Sequence, residues 1–231
     1  MRCLSKQKSL STFIITLLAI SVSLTSCLTA KNLDKEVAKQ YGWQTSQPAP
    51  KQKEFLKVSS PLVDHKNQVS TSNSKTSKML PLLFYWQWEV KVSCAINKQI
   101  PINNFTKTVT AYAEKGLKQK LNGRRIELNV EKIPGNFAIV DEARLVWIIY
   151  AFGWDKIYAK PVNHDMVVSY KVMDGETEVK KGTISVPAFD EKMQLGSYNS
   201  WKTATTDYLY QYDNTITTVS KKVIDKIVEE L

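Results

Sequence analysis

A regular alternation of apolar and polar residues over FYWQWEVKVSCAI, positions 84–96, is the feature that most constrains the fold of this chain. Side chains of a β-strand point alternately to opposite faces, so the pattern predicts a long strand with one apolar face. That face comprises Trp86, Trp88, Val90, Val92, Cys94 and Ile96. We expect it to pack against helices, with Cys94 as a small core residue. The two tryptophans belong either to the core or to its rim, where an exposed indole stacks on a sugar or faces lipid.

Two segments have helical periodicity. Apolar residues recur at helical spacing from Phe105 to Leu121, after a capping Asn103 or Asn104 and before Gly123. A second apolar stripe runs from Tyr208 to Leu231 and predicts a long final helix.

Three further regions predict strands. Alternation marks positions 126–131, and a stretch that is apolar on both faces, 145–152, predicts a central strand. Two more strands are expected on either side of Asp174-Gly175, a dipeptide favoured in hairpin turns. The order β-α-β-β-β-β-α predicts an α+β fold, a two-layer sandwich in which a mostly antiparallel sheet of about five strands carries two helices on one face.

The first 26 residues have the layout of a signal peptide. Arg2, Lys6 and Lys8 precede an uncharged apolar run, 13–24, and no acidic residue occurs before it. A helix of twelve residues spans about 18 Å, which is short of the roughly 30 Å hydrocarbon layer of a membrane. We therefore expect export and cleavage.

The apolar run ends in Leu24-Thr25-Ser26-Cys27, and these residues resemble the lipobox of bacterial lipoprotein precursors. The resemblance implies that Cys27 receives a diacylglyceryl thioether, that cleavage occurs before Cys27, and that its freed amino group is acylated. Several acyl chains hold a protein stably on a membrane. The alternative is an ordinary cleaved signal that happens to end at a cysteine. Position 28 is Leu, so the aspartate that retains enterobacterial lipoproteins at the inner membrane is missing, which favours the outer membrane.

We divide the chain into a signal peptide, 1–26, a lipidated cysteine with a flexible basic tether, 27–78, and one α+β domain, 79–231. The tether prediction rests on composition, because residues 28–78 are rich in Ser, Thr, Gln and Asn and carry nine lysines against four acidic residues. Two exceptions are possible within it. Leu33 to Gly42 has the pattern of a short helix, and apolar residues at 55–56 and 61–63 could dock on the domain.

Signals for catalysis are few. His65 lies in the predicted tether and His164 next to Asp165 in a predicted turn, while Asp141 and Glu142 can pair with Arg144 on the surface. No nucleophile elbow, phosphate-binding loop or zinc-protease motif is present. We predict no enzymatic activity, no cofactor and no metal site.

The predicted order of elements behind a lipidated cysteine resembles auxiliary envelope lipoproteins of ABC-type lipid transport and of lipopolysaccharide assembly. The resemblance is one of layout over 79–231 and implies a non-catalytic binding or assembly module with an envelope protein as partner. The expected partners are the membrane, through the lipid anchor, and that protein, but no nucleic acid. The alternatives are a surface-exposed binder of glycan or peptide that uses Trp86, Trp88 and Trp154, and an envelope hydrolase.

Overall fold

A computed structural model describes residues 28–42, 50–64, 69–80, 85–114, 116–147, 151–162, 165–190 and 194–231. The helices are α1 (Ala30–Tyr41), α2 (Gln99–Tyr112), α3 (Leu117–Leu121) and α4 (Trp201–Glu230), with a short 3₁₀ helix at Pro61–Asp64. The strands are β1 (Leu56–Ser59), β2 (Val69–Leu80), β3 (Tyr85–Ala95), β4 (Arg125–Lys132), β5 (Asn136–Trp147), β6 (Ala151–Pro161), β7 (Asp165–Asp174), β8 (Thr177–Pro187) and β9 (Leu195–Tyr198).

The described strands form two sheets. A four-stranded sheet has the order β1-β4-β7-β8, and a five-stranded sheet has the order β2-β3-β5-β6-β9. Strands β1 and β4 pair in parallel, and the other neighbouring strands pair antiparallel. The fold is therefore mixed α and β, as predicted. The single sheet of about five strands with two helices on one face was an imprecise description, since the described residues form two sheets and four α-helices. The sequence pattern gave no sign that β4, β7 and β8 separate from β3 and β5.

The segment predicted to be a flexible tether contains folded elements. Leu33, Val37 and Tyr41 of α1 are buried in the core, and β1 extends the four-stranded sheet. The tether prediction is wrong for these parts, because three apolar residues at positions i, i+4 and i+8 give an otherwise polar helix a buried stripe. The exceptions that we allowed are the correct description, since the helix forms and Phe55 and Leu62 pack against the core. The expected boundary at position 79 falls inside β2.

Helix α4 forms as predicted and begins earlier than the apolar stripe. Ser200 caps its first turn, where the side-chain oxygen accepts a hydrogen bond from the Thr203 amide at 3.2 Å. The single helix predicted over Phe105–Leu121 is two helices, α2 and α3. Helix α2 begins before the predicted caps Asn103 and Asn104, and the Asn97 side chain accepts a hydrogen bond from the Gln99 amide at 2.9 Å. The left-handed residues Asn122 and Gly123 end α3.

The hairpin at Asp174-Gly175 is confirmed: β7 and β8 pair from Asp174–Thr177 onward, and Gly175 has a φ of +61°. The region predicted as one central strand, 145–152, is different. Strand β5 ends at Trp147 and β6 returns antiparallel from Ala151, so this region contains the connection between two strands. Pattern analysis missed the connection because the intervening residues are apolar and include no Gly, Pro, Asn or Asp.

One continuous core joins the two sheets and the helices. Helix α4 contacts β5, β6 and β9 of one sheet and β8 of the other, and it also packs against α1 and α2. Its aromatic side chains form the centre: Tyr208 stacks on Phe137 with ring centroids 4.5 Å apart, and Phe189 lies 6.2 Å from both Tyr208 and Tyr212. None of the described helices combines the length and the apolar character needed to cross a membrane.

Candidate functional site

The outer end of the five-stranded sheet is the first candidate surface. Strands β2 and β3 pair up to Leu80 and Tyr85, and β5 and β6 pair up to Trp147 and Ala151. Because β3 and β5 are antiparallel neighbours, both connections lie at the same end of the sheet. We call the four strand ends next to these connections the outer end (79–80, 85–88, 145–147 and 151–154), and the opposite end of these strands the inner end.

Register determines which side chains share a face. Residues paired across antiparallel strands point to the same side. Trp86 pairs with Leu145 and Trp88 with Ala143, whereas Trp154 pairs with Arg144, the residue between them. Trp86 and Trp88 therefore lie on one face, and Trp154 lies on the other together with Phe152. The three candidate tryptophans do not form a single platform.

Exposure changes along β3. At the inner end Val92, Cys94 and Ile96 are buried, and Cys94 is 1% exposed, so the predicted core cysteine is confirmed. At the outer end Trp86 is half-buried and Trp88 is 38% exposed. On the opposite face Phe152 is 61% and Trp154 47% exposed. The sequence left open whether the two tryptophans lie in the core or at its rim, and Trp88 lies at the rim.

A short polar network crosses the face that carries Trp154. The Tyr85 hydroxyl donates to Gln87 Oε1 at 3.1 Å, and Gln87 Nε2 donates to Glu142 Oε1 at 3.0 Å. Arg144 Nε donates to the same carboxylate oxygen at 2.7 Å, and this hydrogen bond raises the pKa of Arg144. The expected pairing of Arg144 with an adjacent acid thus occurs with Glu142. The polar groups of this network are bonded to one another.

An open groove between α2 and α4 is the second candidate. Its volume is about 440 Å³, and it is lined by Asn104, Lys107, Thr108, Ala111, Tyr112, Thr217 and Lys221. The Tyr112 hydroxyl donates to Asp225 at 3.0 Å, and this hydrogen bond raises the pKa of Tyr112. Asn104 Oδ1 accepts from the Thr217 hydroxyl at 3.2 Å. The polar lining groups Tyr112, Asn104 and Thr217 are therefore bonded to their neighbours, and Lys221 Nζ lies 5.9 Å from the centre of the Tyr112 ring.

A cluster of buried ionisable groups lies where α1 meets α4. The Tyr41 hydroxyl donates to Asp213 Oδ1 at 3.1 Å, and the Tyr212 hydroxyl donates to the Pro134 carbonyl at 2.6 Å. Burial raises the pKa of Tyr41, Tyr208 and Tyr212, and it also raises the pKa of Asp213. The two hydroxyls with these partners tie α1 to α4 and α4 to the start of β5. We assign them a structural role.

Several residues considered from the sequence fall outside the described residues. These are Cys27, His65 and His164, as is the side chain of Trp147. Within the described ranges, no group of three or more His, Cys, Asp or Glu is placed to hold a metal ion. Sequence reasoning missed the exposed Phe152 as a surface residue, because it was assigned to a central strand. The missed signal was the length of the uncharged stretch around it.

Comparisons of this chain with protein-family models, with curated proteins and with solved structures find no match.

Proposed function

We propose that this chain is a lipid-anchored protein of the cell envelope, attached through Cys27, that acts as a non-catalytic binding or assembly module. The leader sequence and the lipobox Leu24-Thr25-Ser26-Cys27 support export and acylation. The observation that carries the proposal is the position of this cleavage site relative to the fold. Leu28 is 8% exposed and belongs to the core, and Thr29 caps helix α1.

Cleavage before Cys27 would therefore leave every described element intact, while the acylated residue would directly precede the core. The fold would then lie at the membrane surface, because the acylated Cys27 is bonded directly to the core residue Leu28. In this arrangement no flexible segment separates helix α1 from the acylated residue. Leu at position 28 favours the outer membrane, where the source has one.

A binding role is supported by what the described surface offers. Its exposed large apolar residues include Trp88, Phe152 and Trp154, and such residues are frequent in interaction surfaces. The ionisable residues that line the groove between α2 and α4 are Lys107, Tyr112 and Lys221, and the Tyr112 hydroxyl is already bonded to Asp225. Recognition of a glycan or peptide by several tryptophans is less favoured, since Trp88 and Trp154 lie on opposite faces.

Mass spectrometry of the native product tests the anchor. We expect a chain that begins at Cys27 and carries a diacylglyceryl thioether, and we expect Cys27→Ser to remain uncleaved and unacylated. Cys94→Ala is the matched control, because Cys94 is buried and should not affect processing. An intact leader or an unmodified thiol at position 27 would contradict the proposal.

The partner is tested separately. Cross-linking in intact cells and purification from detergent-solubilised membranes should recover one envelope protein in constant proportion with this chain. Recovery of the chain alone, at all cross-linker concentrations, would remove the assembly role and leave only the anchor.

A further inference from the structure

Three exposed apolar side chains lie at the outer end of the five-stranded sheet: Trp88, Phe152 and Trp154. Strand pairing places β3 residues 85–88, β5 residues 145–147 and β6 residues 151–154 together at this end, and none of these residues is charged. The connecting segments 81–84 and 148–150 lie outside the described residues and are not part of this surface.

We propose that this outer end docks onto a lipid surface and enters its head-group region. This is a second membrane contact, which uses no part of Cys27 and does not depend on the proposed acylation. Trp and Tyr are enriched at membrane–water interfaces because their rings are apolar and their N–H and O–H groups remain hydrated. Trp88, Trp154 and Tyr85 place both residue types at this end.

The distribution of aromatic residues favours lipid over a protein partner. Trp88 projects from one face of the sheet, and Phe152 and Trp154 project from the other. A protein groove covers one face of a sheet or adds a strand to its edge. A lipid surface surrounds an inserted tip, so apolar groups on both faces are covered at once.

The uncharged length sets the depth. The rows of Tyr85 and Trp86 are uncharged on every paired strand, whereas Lys78 and Arg144 pair with Gln87. These two rows extend about 7 Å at roughly 3.3 Å per residue, which is much less than the roughly 30 Å hydrocarbon core. Deeper insertion is opposed by backbone groups. Among the described strands β2 is an edge, and 151–156 of β6 pair only with β5, so their outward N–H and C=O groups need water.

Charges in the rows of Gln87 and Trp88 have mixed sign. Lys78 and Arg144 both pair with Gln87, and Asp155 pairs with Ala143 in the row of Trp88. Arg144 is already paired with Glu142. Electrostatic attraction to anionic lipid is therefore small, and burial of apolar surface is the main driving force. Binding should consequently resist salt.

Flotation of purified residues 28–231 with vesicles tests the proposal, since this span contains every described element and lacks Cys27. We use phosphatidylethanolamine and phosphatidylglycerol at 3:1, with 0.1 M or 0.5 M NaCl. We expect binding at both salt concentrations. The triple variant Trp88→Ser, Phe152→Ser, Trp154→Ser should bind at least about tenfold more weakly, because three exposed aromatic side chains are removed.

The control variant is Val179→Ser with Tyr210→Ser. These two residues are 46% and 72% exposed, and both lie away from the outer end. Its vesicle binding should stay within twofold of the original chain. The single variant Phe152→Lys should also lose binding, and urea unfolding of all variants confirms that they remain folded.

Lipids brominated along the acyl chain report insertion directly. Tryptophan fluorescence should be quenched on binding. Trp88→Phe with Trp154→Phe should retain binding and reduce the quenching without removing it, because Trp86 and Trp147 also belong to the outer end. Equal flotation of the triple variant, or no flotation of the original chain, would overturn the proposal. So would a dimer in solution that the triple variant abolishes, because a second copy would then cover this end. None of these outcomes bears on acylation of Cys27.

Discussion

Strand β3 alternates in the same way along its whole length, yet its two halves have different environments. Val92 and Cys94 at the inner end are buried under the helices, whereas Trp88 at the outer end is 38% exposed. The same difference runs along β6, from buried Ala159 to exposed Phe152. An apolar face in a sequence thus predicts a strand but does not reveal how much of that strand the helices cover.

The largest expected difference between the two ends is in stability. Phe137→Ala removes a fully buried ring that stacks on Tyr208, and it should cost about 3–5 kcal/mol in the free energy of unfolding. Phe152→Ala removes a ring that is mostly exposed and should cost less than about 0.5 kcal/mol. Urea denaturation measures both. Similar costs for the two variants would show that the outer end belongs to the core.

A second variant extends the comparison to the four-stranded sheet. Gly182 pairs with Tyr170, and a Cβ atom at Gly182 would lie 2.6 Å from the Tyr170 ring. Gly182→Ala should therefore displace the buried tyrosine and cost about 1–3 kcal/mol. Gly116→Ala is the control, because no atom lies within 4 Å of the added Cβ, and it should be nearly neutral. Thermal unfolding measures both variants. An unchanged melting temperature for Gly182→Ala would mean that the Tyr170 ring moves aside without cost.

Tyr41 sharpens the description of the inner end. Tyr41→Phe keeps the buried ring of α1 and removes the hydrogen bond to Asp213, so it should cost about 1 kcal/mol. Chemical denaturation at neutral pH gives the value. A cost near 3 kcal/mol would instead mean that removal of the Tyr41 hydroxyl leaves the Asp213 carboxylate without a hydrogen-bond donor.

The smallest effect concerns Asp213 and depends on pH. Burial raises its pKa in the folded state, so the folded state disfavours the carboxylate. Stability is therefore fully present below the pKa of the unfolded aspartate and falls as pH rises through the two pKa values. Asp213→Asn keeps an acceptor for Tyr41 and should be more stable than the original chain at neutral pH, but not at pH 3. A difference in stability that does not vary with pH would contradict this reading.

Local signals predicted a substantial part of the fold. The Asp174-Gly175 hairpin and the helix over Trp201–Glu230 were recognisable because turn chemistry and helical periodicity act over a few residues. The parallel pairing of β1 with β4 joins residues about seventy positions apart, and no local pattern encodes it. The division into two sheets depends on such distant pairings.

The candidate surface was predictable only in part. Alternation placed Trp86 and Trp88 on one face, which the register confirms. The opposite orientation of Trp154 required the position at which β5 ends and β6 begins, and exposure required knowing where the helices stop. The uncharged residues of β3 and β6 were visible in the sequence, but only strand pairing shows that 85–88 and 151–154 lie at the same end of the sheet.

The position of helix α4 has a consequence for how the whole molecule unfolds. It lies across both sheets, and near its end Glu230 accepts a hydrogen bond from the Tyr170 hydroxyl of β7 at 2.5 Å. This helix of 30 residues is about 45 Å long, and it packs against two sheets that have no strand in common. Both sheets lose apolar contacts when this helix detaches. The two sheets should therefore unfold together as one cooperative unit, although they are built from separate strands.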